Sequence, residues 1–156
     1  MFEIEIFTKK GFKNSHGERV LSDILGIGIK CVTKVEYSPL YVIDGDINSA
    51  EIKTIALELL SDKITENYVA KRHCECDSKS VIDSDVSVIK VWYKKGVTDT
   101  VSESVVKAVK DLGIAKEVKV KTGHKYYMNG KATQVVLDKI ATKLLANTLV
   151  QEYKTI

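Results

Sequence analysis

Phe2, Ile4 and Ile6 alternate with Glu3 and Glu5, the period-two pattern of a strand with one buried face. Lys9-Lys10-Gly11 ends that strand, with Gly11 supplying a turn. From Ser15 the period lengthens. Val20, Leu21, Ile24 and Leu25 form a helical stripe, Ser15 and Glu18 stand at capping-box spacing, and Gly26 stops the helix. A second strand is expected from Val32 to Tyr37, broken by Ser38-Pro39, and a short third from Leu40 to Ile43 before the turn residues Asp44-Gly45-Asp46. Asn48 and Glu51 again have cap spacing, and Ile52, Ile55, Ala56, Leu59 and Leu60 form a second stripe. Ile64 to Val69 reads as the closing strand. The order β-α-β-β-α-β predicts an α+β fold, a mainly antiparallel sheet with both helices on one face.

The same pattern then runs a second time. Lys9-Lys10-Gly11 returns 85 residues later as Lys94-Lys95-Gly96, and Tyr41, Ile55-Ala56, Leu59-Leu60 and Tyr68 return at the same spacing as Tyr126, Ile140-Ala141, Leu144-Leu145 and Tyr153. Only Leu25-Gly26-Ile27 slips, to Leu112-Gly113-Ile114 at a spacing of 87, and Val35 and Val120 restore the register. Ile89 and Val91 replace Ile4 and Ile6, Trp92 replaces Phe7, and Thr100 and Glu103 stand where Ser15 and Glu18 stood. Val105, Val106, Val109 and Leu112 make the first stripe of this copy, and Leu137, Ile140, Ala141, Leu144 and Leu145 the second. Strands are expected at Glu117 to Lys121, Lys125 to Met128 and Leu149 to Lys154, with Asn129-Gly130 as a turn. The chain therefore reads as two tandem modules, residues 1–70 and 86–156, joined by a polar linker over residues 71–85. A module of about 70 residues is marginal alone, so the two are expected to pack as an intrachain pseudo-dimer.

Composition narrows the class without naming a function. The chain has 156 residues, 44% of them hydrophobic, and a net charge of +3. That charge is unevenly spread, −3 over residues 1–70 and +7 over residues 86–156, which favours contact between the copies or with partners of opposite sign. No run approaches the roughly 20 apolar residues of a membrane span, and Glu3 and Glu5 interrupt the opening run where a secretory leader would be apolar. A cytoplasmic location is expected. Three cysteines, two of them crowded as Cys74-Glu75-Cys76, do not make a disulfide framework. His73-Cys74-Glu75-Cys76 falls short of a closed four-ligand zinc set, so no metal is expected.

Several short motifs, in order and in both copies, carry a family resemblance. In the second copy they are Lys94-Lys95-Gly96-Val97, Leu112-Gly113-Ile114, Val118-Lys119-Val120 with Thr122-Gly123-His124-Lys125, and Leu144-Leu145-Ala146-Asn147 with Glu152-Tyr153. In the first copy they are Lys9-Lys10-Gly11-Phe12, Gly17 followed by Val20, and Leu25-Gly26-Ile27. Both copies resemble PurS, the small subunit of phosphoribosylformylglycinamidine (FGAM) synthase in purine biosynthesis, and the first also looks like the N-terminal domain of the large fused form. Thr148 stands where the family usually has proline, and Ser61-Asp62-Lys63 replaces the family's Ala-Asn and its follower. The resemblance implies a non-catalytic subunit without cofactor. It would bridge a glutaminase (PurQ) and an ATP-dependent synthetase (PurL) and support the passage of ammonia between them. Family members are single modules that dimerise, so this chain looks like that dimer made covalent, with further self-association open.

The residues themselves agree with a non-enzyme. His16, His73 and His124 have no Ser, Cys or carboxylate at a spacing that assembles a triad or dyad, and no Walker-type or Rossmann glycine loop is present. The candidate interface residues are Lys9, Lys10, Gly11, Lys94, Lys95 and Gly96 at strand ends, with Thr122, Gly123, His124 and Lys125 in a basic loop. The lysines suit an acidic loop or a phosphate, or serve only to discourage pairing at a sheet edge. A small-metabolite-binding regulatory module of ferredoxin-like type is the alternative reading. Nucleic acid is disfavoured, because nothing RNP-like surrounds Tyr126-Tyr127 and the lysines are scattered.

Overall fold

The computed structural model describes residues 1–72, 85–114 and 117–156. They form β1 (Phe2–Thr8), α1 (Ser15–Gly26), β2 (Lys34–Gly45), α2 (Ser49–Ile55), β3 (Glu66–Arg72), β4 (Val86–Tyr93), α3 (Thr100–Asp111), β5 (Val118–Asn129), α4 (Gln134–Ile140) and β6 (Gln151–Thr155). The class is α+β with antiparallel strand pairing, as the pattern predicts. Each of α2 and α4 runs on into one turn of π-helix, Ala56–Leu60 and Ala141–Leu145, again 85 residues apart.

The chain packs as two compact units, and each takes elements from both sequence copies. One holds β1, β2 from Pro39 onward, α2, β3, α3 and β5 as far as Gly123. Its strands hydrogen-bond in the order β3-β1-β2-β5. Phe2, Ile4, Ile6 and Ile43 make one strand face, and Ile52 and Ile55 of α2 cover it together with Val105 and Val109 of α3. The other unit holds α1, β2 as far as Ser38, β4, β5 from His124 onward, α4 and β6, in the strand order β2-β5-β4-β6. There Ile89, Val91, Tyr126 and Met128 are covered by Val20 and Ile24 of α1 and by Leu137 and Ile140 of α4. The compact units thus differ from residues 1–70 and 86–156, the bounds expected from the sequence pattern.

Three local expectations need correction. The strand does not break at Ser38-Pro39; β2 runs through it, and β5 likewise runs through Thr122-Gly123. Proline removes one ladder donor but its fixed φ suits an extended chain. Both sites lie where the strand passes from one unit to the next. The caps sit one residue earlier than Ser15 and Thr100. Asn14 caps α1 and Asp99 caps α3, each side chain accepting from the amide three residues on, Gly17 N and Ser102 N. The Asn48–Glu51 capping box is present as expected. Finally, β3 and β6 begin at Glu66 and Gln151, which leaves Ile64 and Leu149 outside the strands. Leu25 is exposed as well, a further step round the helix from the Val20–Ile24 face, and Leu112 is exposed at the C-cap, just past the end of α3.

Candidate interaction site

The two Lys-Lys-Gly stretches form the same turn. Gly11 and Gly96 have φ of 94° and 88°, and the Phe12 and Val97 amides donate back to the Lys9 and Lys94 carbonyls at 3.1 Å. The first lysine of each pair is engaged inside its own unit. Lys9 Nζ donates to the Lys63 carbonyl at 2.6 Å, and Lys94 Nζ to the Thr148 carbonyl at 2.5 Å. The backbone does the same, Lys9 N to Thr65 O at 2.8 Å and Lys94 N to Val150 O at 2.9 Å. The repeated lysine therefore ties the strand end to the turn that follows the π-helix. Lys10 and Lys95, the second of each pair, are exposed.

Thr122, Gly123, His124 and Lys125 are not in a loop; they form the middle of β5. Thr122 and Gly123 belong to the unit of β1, and His124 and Lys125 to the unit of β4. Thr122 is buried, and both its amide (3.0 Å) and its hydroxyl (2.7 Å) donate to Asp99 Oδ2. Asp99 thus caps α3 with one oxygen and holds the strand with the other. Asn14 repeats this in the other unit: its Oδ1 accepts from Gly17 N and its Nδ2 donates to the Tyr37 carbonyl, both at 2.9 Å. Lys125 lies over the Tyr127 ring, 4.6 Å from its centroid.

In the unit of β4, four rings gather where α1 begins. Tyr37 is central: the His16 ring lies 4.0 Å away, Tyr126 5.4 Å and His124 5.7 Å, centroid to centroid. The Tyr37 hydroxyl and His124 Nδ1 are hydrogen-bonded at 2.9 Å. The positions 85 residues from His16, Tyr37 and His124 are Val101, Thr122 and Pro39, so the cluster belongs to one unit alone. Sequence reading left it out because its members lie on three elements that no local period connects. Burial, and then the nearby Arg19 charge, push the His16 pKa down. Burial pushes the Tyr126 phenol up to about 12.

These shifts set opposite limits on stability. The fold favours neutral His16, so its contribution is present above the unfolded value of 6.5 and declines as pH falls below it. It also favours the protonated Tyr126 phenol, so that contribution is present below pH 10 and is lost as pH rises towards about 12. The alkaline loss is expected to be on the order of 2 kcal/mol, less than the full shift implies because some solvent still reaches the ring. Denaturant melts of the chain and of Tyr126→Phe across that range check it, and parallel curves would exclude Tyr126 as the source.

Among the described residues no three His, Cys, Asp or Glu side chains are placed to hold a metal, and no helix is long and apolar enough to cross a membrane. His73-Cys74-Glu75-Cys76 lies outside the described residues.

Fold and site together define an α+β protein with an antiparallel sheet, whose marked surface features are turns and strand ends. Residues 86–156 match the PurS family model, described as phosphoribosylformylglycinamidine (FGAM) synthase, so the second copy is a PurS-like module. No curated protein matches the chain.

Proposed function

We propose that this chain is a non-catalytic PurS-like subunit of FGAM synthase, which joins the glutaminase to the ATP-dependent synthetase and supports ammonia transfer during conversion of formylglycinamide ribonucleotide to the amidine. The observation that carries the reading is the PurS match over residues 86–156. The first copy supports it by repeating that module in detail. Its strand-end lysine clamp, its helix-capping side chain bonded to the mid-strand and its π turn each recur at a spacing of 85 residues. On this reading both copies are PurS-like, the chain supplies two modules where a family dimer would supply one from each chain, and it acts in the cytoplasm.

The test is size-exclusion chromatography with light scattering on the chain mixed with the synthetase and glutaminase, in the presence of glutamine and Mg-ADP. All three proteins are expected to co-elute, and leaving out this chain is expected to separate the other two. Independent elution of this chain would overturn the proposal.

The ring cluster keeps the metabolite-binding alternative in view, since stacked His and Tyr rings suit a flat ligand. That alternative predicts a ligand-dependent rise in melting temperature with no partner present.

A further inference from the structure

Both modules turn from the π-helix into the last strand through a loop built with unusual care. The Ser61 amide donates to Ala56 O at 3.0 Å and the Ala146 amide to Ala141 O at 2.8 Å, closing the π turn. Asp62 Oδ1 accepts from the Ile64 amide at 2.7 Å, and Asn147 Oδ1 from the Leu149 amide at 3.1 Å. The amides of Asp62 and Asn147 donate to the side chains of Glu66 and Gln151, at 2.8 and 2.9 Å. The strand-end lysines then clamp the following carbonyls. Side chains differ between the copies at five of these positions, Ser61/Ala146, Asp62/Asn147, Lys63/Thr148, Ile64/Leu149 and Glu66/Gln151, yet these hydrogen bonds are the same.

At the tip of each loop stands a large aliphatic side chain in water, Ile64 at 73% exposure and Leu149 at 83%. Not one of the hydrogen bonds needs an aliphatic group there, and a polar residue would be better solvated. A rigid turn that holds an apolar side chain out of the protein has little ordering entropy left to lose on binding. That suits insertion into another protein's pocket.

Charge distinguishes the two tips. Around Ile64, Lys63 is paired with Glu58 at 2.6 Å, Asp62 and Glu66 are both at hand, and Lys9 and Lys10 form the adjoining turn, so the two signs balance. At the corresponding places around Leu149 stand Thr148, Lys143, Asn147 and Gln151, and Lys94 and Lys95 form the adjoining turn. The carboxylates are gone and a lysine has replaced one of them. We infer that the Leu149 turn is a docking point for another protein, which receives Leu149 in an apolar pocket rimmed by Asp or Glu carboxylates facing Lys94, Lys95 and Lys143. The Ile64 turn has the same shape but a balanced charge and serves as the internal comparison.

This inference rests on the FGAM synthase reading, because the synthetase and glutaminase are the probes. Full-length wild type, Leu149→Glu, Ile64→Glu, Lys95→Glu and Val135→Glu are each titrated against the two proteins, with melting curves run beside them. Val135 is 78% exposed at a site outside the turn and controls for adding surface charge. Leu149→Glu is expected to keep its melting temperature and to bind at least about tenfold more weakly. Lys95→Glu is expected to weaken binding less and to flatten its salt dependence. Ile64→Glu and Val135→Glu are expected to bind within about threefold of wild type.

Wild-type binding with an unaffected Leu149→Glu would overturn the docking point and leave the FGAM synthase reading standing. So would equal weakening by Val135→Glu. A dimer of this chain that Leu149→Glu dissolves would make the occupant a second copy and overturn the inference in that way. Failure of the wild type itself to bind would remove the FGAM synthase reading, and the docking point with it.

Discussion

Gly130→Ala is expected to destabilise the fold by about 4 kcal/mol, which for a chain of this size lowers the melting temperature by about 10 °C. Gly130 follows β5 with φ of 130°, a conformation nearly closed to residues with a Cβ. A Cβ there would overlap the carbonyl oxygen of Cys31, a backbone atom that no rotamer change can move. The surroundings are fixed on both sides. The Gly130 amide donates to Asp85 O at 2.9 Å, its carbonyl accepts from Ala132 N at 3.0 Å, and Asn129 O accepts from Thr33 N at 2.9 Å. Alanine therefore incurs both a backbone strain of about 1–2 kcal/mol and an overpacking cost of about 1–3 kcal/mol. Gly113→Ala separates the two terms. Gly113 has φ of 80° with nothing near its missing Cβ, so only the strain remains, about 1 kcal/mol. Urea melts of the two variants measure the difference. Equal losses would show that the contact with Cys31 relaxes freely.

Asn129-Gly130 was legible in the sequence as a turn, but nothing local reveals that the Cys31 backbone lies against it. The same holds for the helices. Val20 and Ile24 state which face of α1 is buried, and so do Val105 and Val109 for α3. Because the two stripes are alike, the pattern leaves open which strands each one covers. The structure pairs α1 with β4 and β5, and α3 with β1 and β2, so each compact unit borrows a helix from the other sequence copy. Ser38-Pro39 and Thr122-Gly123 misled for a related reason. Their turn-forming composition marks a change of unit along an unbroken strand, and local propensity cannot distinguish that from a chain reversal.

The candidate site was legible in part. Repetition singled out Lys9 and Lys94, and each makes the same bond in its own unit. The role of that bond, holding the following turn, could not be read from spacing. Ile64 and Leu149 were absorbed into strands because an aliphatic residue next to a β-rich segment satisfies the alternation. The available signal was Asp62 and Asn147, turn-forming side chains two residues before the aliphatic one, at positions that both copies keep.

Asp99→Ala is the second large effect, expected at about 3 kcal/mol. Asp99 accepts hydrogen bonds from the Ser102 amide, the Thr122 amide and the Thr122 hydroxyl. Losing a helix N-cap costs about 1 kcal/mol. The remainder comes from Thr122, which is buried and would keep an amide and a hydroxyl with their acceptor removed, at about 1–3 kcal/mol. Thr122→Val in the Asp99→Ala background should recover part of that loss, since it removes the stranded hydroxyl. Thr122→Val alone should destabilise, so the pair forms a double-mutant cycle with a coupling on the order of 1 kcal/mol. Asn14→Ala in the other unit is expected to cost less, about 1.5 kcal/mol, because its contact with the Tyr37 amide is long at 3.4 Å and the 2.9 Å bond it gives the Tyr37 carbonyl leaves behind only a part-buried acceptor, not a buried amide and hydroxyl. The order Asp99 above Asn14, read from denaturant melts, tests whether one side chain joins helix start to mid-strand in each unit. Equal losses at the two positions would reduce both residues to ordinary caps.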